Sequence, residues 1–427
     1  MINLLVITSL APFLGVVLHP QSSWIIAFGL IILWILKKRE VQGGLSLLWG
    51  VTVEPAPCDF LFIWAWIGNL LKGRLRWSRS LSLHLLLAFI ALNVLQVVIS
   101  TSINRGTWFA GATLYVISLA FLLSTITSIK DWDETRNAFL LAVWVTAVIV
   151  LILALLGFLG WNEHVANLYY ARRPRGFFKD PNVAGPFVAV GTLFALSRLL
   201  FLRKRLMSFD GFLLLTSLLA VISTFSRGAL LNLAAGVVVL WFISVRAHKG
   251  LKFALALAIV AGISVVALPY LAEVFGQSFR FHGLASYDIY GRFAAWKAGL
   301  LLAKHYPWGI GPGQFEIFAP KYEVEFFREV LITPSAHNTY LRVLVENGVI
   351  GLGVFLLALG SLFLSLMRNV GIALKEGNQG LLADGAWLAS ALVGIMVESF
   401  VIDTLHWRHF WILAGFAVAY GRLTRER

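Results

Sequence analysis

Long uninterrupted runs of apolar residues, separated by short polar segments, dominate the chain. An α-helix needs about 20 mostly apolar residues to cross the hydrocarbon core of a bilayer. The runs that we predict to span a membrane are 2–18, 22–36, 58–71, 82–101, 107–127, 137–159, 183–201, 211–225, 229–245, 251–270, 338–366, 383–401 and 409–421. An apolar stretch at 43–54 is too short to assign, which leaves the total between about 12 and 14. The pattern predicts an all-α, polytopic membrane protein with about 12 transmembrane helices.

Composition supports the same class of protein. Of the 427 residues, 59% are hydrophobic and 13% are charged, whereas an ordinary soluble domain has about 45–50% apolar and about 25% charged residues. These values exclude a soluble globular enzyme and a disordered chain. Cys58 is the one cysteine, so an intramolecular disulfide and a cysteine zinc cage are excluded as well.

The positive charge is concentrated in loops on one side of the predicted helices. The net charge is +14, and 15 of the 35 Lys and Arg residues follow the third, seventh, ninth, eleventh and last apolar runs. These basic residues are Lys72, Arg74, Arg76, Arg79, Arg203, Lys204, Arg205, Arg246, Lys249, Lys252, Arg368, Lys375, Arg422, Arg425 and Arg427. By the positive-inside rule this side is cytoplasmic. We therefore interpret the charge as a topology signal and expect no nucleic-acid partner.

The loops on the opposite, external side carry the candidate chemistry. They are 161–182, the turn at 226–227, the long stretch 271–337 and the turn at 403–409. The chain thus divides into N-terminal helices (1–159), central helices with a basic loop (160–270), a long external loop (271–337) and C-terminal helices (338–427). Within the long loop, 290–304 has helical spacing, and the glycines and prolines of 307–313 end it.

His337 lies at the predicted mouth of a long apolar helix. Ser335 is a candidate N-cap, which would place His337 in the first helical turn. The free N–H groups and positive partial charge of a helix N-terminus favour anions and a neutral imidazole. Such a histidine is able to accept a proton. An interfacial histidine with a purely structural hydrogen bond is the alternative.

Several arginines share this side. Arg227 lies between two apolar runs, where an unpaired arginine is costly, and Arg292 lies in the long loop. The basic loop adds Arg172, Arg173 and Arg175, followed by Asn182. Structural alternatives are an arginine that reaches lipid headgroups and an Arg292–Asp288 ion pair.

Arginine forks bind phosphate oxygens in pairs. No cluster of acidic residues for Mg²⁺ is present on this side. The residues therefore suggest transfer of a group from a polyprenyl diphosphate carrier to an acceptor hydroxyl, without metal or cofactor.

Two motifs carry a resemblance to a known family, the O-antigen ligase and O-antigen polymerase superfamily. The pattern H-[NSQ]-x9-G-x-x-G is similar to the segment that begins at His337-Asn338 and ends at Gly348-Val-Ile-Gly351. The pattern R-x3-L is similar to Arg227 with Leu231. The segment at Arg292, RFAAW followed by HYPWGIGPGQF, and the segment RGFFKDPNVAG also resemble the family, although Asp180 stands where asparagine is frequent. The resemblance covers about 160–420.

The resemblance implies a fold and a reaction. Members have the membrane-embedded fold of C-type glycosyltransferases in the bacterial inner membrane. They transfer an undecaprenyl-diphosphate-linked glycan on the periplasmic face, with inversion and without a metal. Carried over to this sequence, His337 is the catalytic histidine, and Arg227 and Arg292 bind the diphosphate. Asn338, Arg172, Arg173, Arg175 and Asn182 are candidates for substrate binding.

The sequence is compatible with more than one acceptor and with more than one reaction. The motif spacing favours a ligase that uses lipid A–core as acceptor over a polymerase that joins repeat units on the carrier. A transporter of lipid-linked glycans is less favoured because no inverted repeat is evident. A cell-wall polymerase of the shape-and-division type ranks lower still. Five residues near the last turn are further candidates for shaping an acceptor cleft: Glu398, Asp403, His406, Arg408 and His409.

Overall fold

The structure is a computed structural model of the chain. It describes residues 4–5, 7–8, 11, 20–51, 54–73, 79–171, 173–202, 207–247, 287–326 and 335–425. Helices account for nearly all regular structure in these ranges. The one exception is a two-stranded antiparallel ribbon of β1 (Tyr169–Tyr170) and β2 (Arg173–Pro174). The all-α prediction is confirmed.

The helices follow the predicted apolar runs closely. The first seven are α1 (Pro20–Leu36), α2 (Glu40–Ser46), α3 (Pro57–Leu71), α4 (Leu81–Leu95), α5 (Ile103–Leu123), α6 (Ile129–Phe158) and α7 (Pro181–Phe201). The others are α8 (Phe209–Ser223), α9 (Arg227–Arg246), α10 (Tyr287–His305), α11 (Phe315–Phe326), α12 (Thr339–Lys375), α13 (Gln379–Glu398) and α14 (Arg408–Leu423). Short 3-10 helices cover Gln96–Ile99 and Asn162–Leu168.

Within the described ranges, seven helices are long and apolar enough to cross a membrane. They are α4 with its 3-10 extension, α5, α6, α7, α9, α12 and α13, and two shorter apolar helices are α3 and α8. The predicted span 251–270 and most of 2–18 lie outside the described residues. A total of about 12 spans therefore stays a prediction.

Two helices form the centre of the bundle. Within their most apolar windows, 83% of α7 and 78% of α13 is buried, compared with 33% of α12. Small residues permit this close packing. A Cβ on Gly394 of α13 would lie 2.2 Å from the side-chain oxygen of Asn232 on α9, and one on Gly385 would lie 2.4 Å from the Tyr420 hydroxyl on α14. Helix α13 can therefore touch both neighbours only because these positions lack side chains.

A buried ion pair joins the start of α6 to the start of α13. Asp384 accepts hydrogen bonds from Arg136 Nη1 at 2.7 Å and from Trp132 Nε1 at 2.8 Å. The starts of α6 and α13 therefore lie side by side at one end of the bundle. The opposite end of α13, at Glu398, therefore lies at the other end of the bundle.

Helix α12 is broken at Gly348, where the sequence predicts a continuous span over 338–366. Gly348 has φ 69° and ψ −173°, a conformation that is essentially restricted to glycine. The loop 307–313 fills the break: Val349 N–H donates to the Pro307 carbonyl at 2.9 Å, and Ile310 N–H to the Val345 carbonyl at 3.1 Å. The helix can break at Gly348 because this loop bonds to backbone groups that have no helical partner there.

The break predicts different effects of alanine at two glycines of α12. We expect Gly348→Ala to lower the free energy of unfolding by roughly 1–3 kcal/mol, because its Cβ would lie 2.4 Å from the Trp308 carbonyl carbon. Gly360, where a Cβ meets nothing within 4 Å, is the matched control, and Gly360→Ala should change stability by no more than about 1 kcal/mol. Denaturant unfolding of the purified proteins in detergent measures both. Equal effects would contradict the account of the break.

Candidate functional site

His337 lies immediately before the first turn of α12. Asn338, rather than Ser335, is the N-cap: its side-chain oxygen accepts from Leu341 N–H at 2.9 Å. Ser335 instead accepts a long hydrogen bond from His337 N–H, at 3.5 Å. The prediction that His337 lies in the first turn of the helix is therefore wrong, and His337 lies just before that turn. The reason is that the Asn338 side chain, and not that of Ser335, bonds to the free N–H groups at the helix start. His337 keeps its place at a helix N-terminus, with φ 46°.

The turn 399–407, between α13 and α14, holds this helix start in place. Thr339 N–H donates to the Ser399 carbonyl at 2.8 Å, and Thr404 N–H donates to Thr339 Oγ1 at 2.8 Å. The Thr339 and Thr404 hydroxyls are 3.1 Å apart. His337, two residues before Thr339, is therefore positioned by the turn as well as by its own helix.

Arg292 contacts the same turn from α10. Its Nη1 donates to the Val401 carbonyl at 2.6 Å, and its side chain is half-buried. The guanidinium thus lies at the turn that supports the His337 segment. The turn 399–407 therefore contacts both Arg292 and the helix start that follows His337, which are two of the three main candidates.

Arg227 is the first residue of α9. Ser226 caps the helix by accepting from Ala229 N–H at 3.2 Å, and the preceding Phe225 has φ 50°. The Arg227 side chain is half-buried and makes no hydrogen bond or ion pair with any part of the chain that the structure describes. A cation in this environment, beside the N–H groups of a helix start, favours an anionic ligand.

Glu398 links Arg227's helix to the turn. It is fully buried at the end of α13, and one carboxylate oxygen accepts from Asn232 Nδ2 at 2.8 Å. A Cβ on Gly228 would lie 2.7 Å from its other oxygen. Only glycine after Arg227 permits this approach. The start of α9 therefore packs against the residue that precedes the turn 399–407.

The basic loop supports this arrangement largely through backbone contacts. Arg173, which is 1% exposed, donates to the Thr224 carbonyl at 2.8 Å and to the Asn182 side-chain oxygen at 2.9 Å. Arg175 donates to the Asn167 and Lys179 carbonyls at 2.7 and 2.9 Å. Arg173 and Asn182 thus hold the segment just before Arg227. Arg172 lies outside the described residues.

Three residues other than glycine adopt left-handed backbone conformations near these contacts. They are Ala171, Phe225 and His337, with φ 48°, 50° and 46°. Such conformations cost of order 1–3 kcal/mol each and occur most often at functional sites. In sequence, Ala171 directly precedes Arg172, Phe225 lies two residues before Arg227, and His337 is the candidate histidine.

Beneath the turn lies a buried ionic cluster that sequence reasoning missed. The guanidinium of Arg342, 2% exposed, bonds to the carboxylates of Glu316, Glu346 and Asp403. Burial raises the pKa of Asp403, but Arg342 outweighs that effect and brings this pKa below its ordinary value. The i, i+4 spacing of Arg342 and Glu346 in an otherwise apolar helix is the signal that could have revealed the cluster.

The remaining candidates of the last turn have structural contacts. Arg408 binds Asp59 through two hydrogen bonds of 2.7 Å. His406 lies 2.9 Å from the Thr113 hydroxyl, and burial lowers its pKa to about 4, so its ring is neutral near pH 7. His409 is buried and stacks on Trp407. These contacts anchor the turn to α3 and α5.

Among the described residues, no group of three or more His, Cys, Asp or Glu side chains is arranged to hold a metal ion. The candidate side chains beside the turn 399–407 and its neighbour Glu398 are two arginines and a histidine, which are cationic and imidazole groups. The arrangement therefore suits an anionic ligand beside a histidine.

Comparison with known proteins gives one family match. Residues 212–356 match the family model described as O-antigen ligase. The matched segment includes Arg227, Arg292 and His337, as well as the break at Gly348. A search of curated proteins gives no match. Residues 212–356 are thus similar to the O-antigen ligase family, and both sequence motifs, at Arg227 and at His337, lie within this segment.

Proposed function

We propose that this protein is a metal-independent inverting glycosyltransferase that moves a glycan from undecaprenyl diphosphate to a hydroxyl of lipid A–core. The superfamily comprises membrane ligases and polymerases of lipid-linked glycans. The choice of donor, acceptor and metal-free chemistry is our inference from the residues of this chain.

One observation carries the proposal: the three main candidates lie on segments that contact either the turn 399–407 or Glu398, the residue directly before it. His337 precedes the helix start that bonds to Ser399 and Thr404, and Arg292 donates to the Val401 carbonyl. Arg227 begins the helix whose Gly228 packs on Glu398. A reaction between two bound substrates needs its charged groups held in a fixed relation, and a shared backbone segment supplies that relation.

The arginines supply the electrostatic part of the reaction. When the bond between the sugar and the diphosphate breaks, negative charge builds up on the leaving phosphate. Arg227 and Arg292 would stabilise that charge with paired N–H donors, a task that Mg²⁺ performs in many phosphate enzymes. Their partial burial strengthens each contact because water screens it less.

His337 supplies the proton acceptor. The acceptor hydroxyl attacks the anomeric carbon from the side opposite the diphosphate, so a new carbon–oxygen bond forms while the old one breaks. The hydroxyl proton passes to the imidazole, and undecaprenyl diphosphate departs with the bonding electron pair. A histidine next to a helix N-terminus tends to be neutral and is suited to this role.

The other candidates have supporting roles in this proposal. Arg173 and Asn182 position the segment before Arg227, and Asn338 caps the helix beside His337. Arg175 is half-buried and Arg172 lies outside the described residues. We propose that these two arginines contact the donor glycan or the headgroups around it.

We infer that the site faces the periplasm. The turn 399–407 lies at the end of α13 and α14 away from Lys375 and Arg422, which belong to the basic loops. By the positive-inside rule those loops are cytoplasmic. The bacterial inner membrane is the location of this superfamily.

The first test is reconstitution in EDTA with an undecaprenyl-diphosphate oligosaccharide and lipid A–core. We expect the wild type to transfer glycan to lipid A–core. His337→Ala should lower the rate by about 10²- to 10⁴-fold, the usual contribution of a general base. His305→Ala, which changes an exposed histidine of α10, should keep full activity. Gel analysis of labelled glycan measures the product.

Other products would contradict the proposal in distinct ways. Longer glycans on the carrier, with lipid A–core unmodified, would make the protein a polymerase. Movement of lipid-linked glycan across the bilayer without transfer would make it a transporter. Activity that is lost in EDTA and restored by Mg²⁺ would overturn the metal-free mechanism.

The second test exploits the difference between arginine and lysine. Arg227→Lys and Arg292→Lys keep the charge but lose the paired donors, so each should lower kcat/KM by on the order of tenfold or more. Arg246→Lys, at the other end of α9, is the matched control and should be neutral. Full activity of both site variants would rule out paired binding of the diphosphate.

A further inference from the structure

A cavity of about 410 Å³ lies at the end of the bundle opposite the candidate site. It is formed where α1 ends and α2 begins, and by the adjoining ends of α3, α5 and α6. Helix α6 begins beside the start of α13, through Arg136 and Asp384, whereas the candidate site lies at the far end of α13. The cavity is therefore separate from the proposed chemistry, and its size is in the usual range for small-molecule sites.

The cavity combines cations and carboxylates. Lys38 and Lys72 line it, are exposed, and make no ion pair with any residue in the described ranges. Glu40 and Asp131 also line it. Asp131 accepts from the Ser128 hydroxyl at 2.7 Å and lies 3.9 Å from the Arg39 guanidinium. Arg39 is already engaged by Glu134 at 2.5 Å. Lys38 and Lys72 are thus suited to bind an anionic group. Glu40 and Asp131 line the same cavity and are suited to bind a cationic group.

Apolar side chains continue from the cavity along the outside of the bundle. Leu36 of α1 is 71% exposed, and Leu70 and Leu71 of α3 are 66% and 81% exposed. In a membrane protein such residues contact acyl chains. A ligand with a charged head in the cavity and an apolar tail would therefore cover surfaces of both kinds.

We propose that this cavity binds the headgroup of a zwitterionic glycerophospholipid with a primary ammonium, such as phosphatidylethanolamine. The phosphodiester lies on Lys38 and Lys72, and the ammonium lies on Asp131 and Glu40. Lipids of a single negative charge fit less well because their headgroups bring no cation to Glu40 and Asp131. The lipid holds the ends of α1, α3 and α6 together on the side that the basic loops predict to be cytoplasmic.

Gly68 of α3 allows a direct test, because it lines the cavity and a Cβ there meets nothing within 4 Å. Gly68→Leu should fill the cavity without changing any charge. The double variant Lys38→Met/Lys72→Met should remove the phosphate contacts. Gly360→Leu, at a glycine of α12 with equally open surroundings, and Lys130→Met, at a lysine of α6 outside the cavity, are the matched controls.

The experiment is native mass spectrometry of the full chain after delipidation and addition of equal amounts of phosphatidylethanolamine and phosphatidylglycerol. We expect the wild type and both controls to retain one phosphatidylethanolamine. Retention should fall about tenfold in the double lysine variant, because each lysine near the surface contributes to phosphate binding, and at least as far in Gly68→Leu. Gel filtration confirms that each variant is folded.

Three results would overturn the proposal. Equal retention in the wild type and the cavity variants would show that the lipid binds elsewhere. Stronger retention of phosphatidylglycerol would contradict the role of the carboxylates. Binding of free phosphoethanolamine in place of the lipid, without retention of any phospholipid, would show that the ligand is a soluble phosphate compound.

Discussion

The guanidinium of Arg342 connects three parts of the molecule that are far apart in sequence. It bonds to Glu316 on α11, to Glu346 on α12 and to Asp403 in the turn 399–407. Removing an arginine from water costs several kcal/mol unless carboxylates and hydrogen bonds replace the lost hydration. All three acidic groups must therefore stay close to the guanidinium. Arg342 consequently holds together three segments: the long loop, the first turns of α12 and the turn 399–407.

This constraint distinguishes the arginines that are paired with carboxylates from the two that we propose to bind the diphosphate. Arg342 and Arg136 are buried, Arg408 is half-buried, and all three are paired with carboxylates of the protein, so we assign them to the stability of the fold. Arg227 is half-buried without a carboxylate partner in the described ranges, and Arg292 contacts a backbone carbonyl. The turn that Arg342 holds also fixes the start of α12 beside His337. The proposed catalytic groups thus depend on an ionic cluster that need not contact either substrate.

Much of the fold and of the candidate site could be predicted from sequence because lipid imposes simple patterns. The apolar runs predict most helices of the bundle, and each predicted run from 82 to 245 corresponds to a helix. Two features could not be predicted because they depend on contacts distant in sequence. The break at Gly348 needs the loop 307–313 to fill it, and the packing of Gly228 on Glu398 is visible only once α9 and α13 are adjacent.

The structure of the protein with undecaprenyl diphosphate bound would test the central claim most directly. The account predicts that the diphosphate oxygens lie within hydrogen-bond distance of Arg227 and Arg292, with the His337 ring beside the phosphate that carries the sugar in the donor. A diphosphate that contacts only the basic loop around Arg175, or one that lies at the opposite end of the bundle, would contradict it.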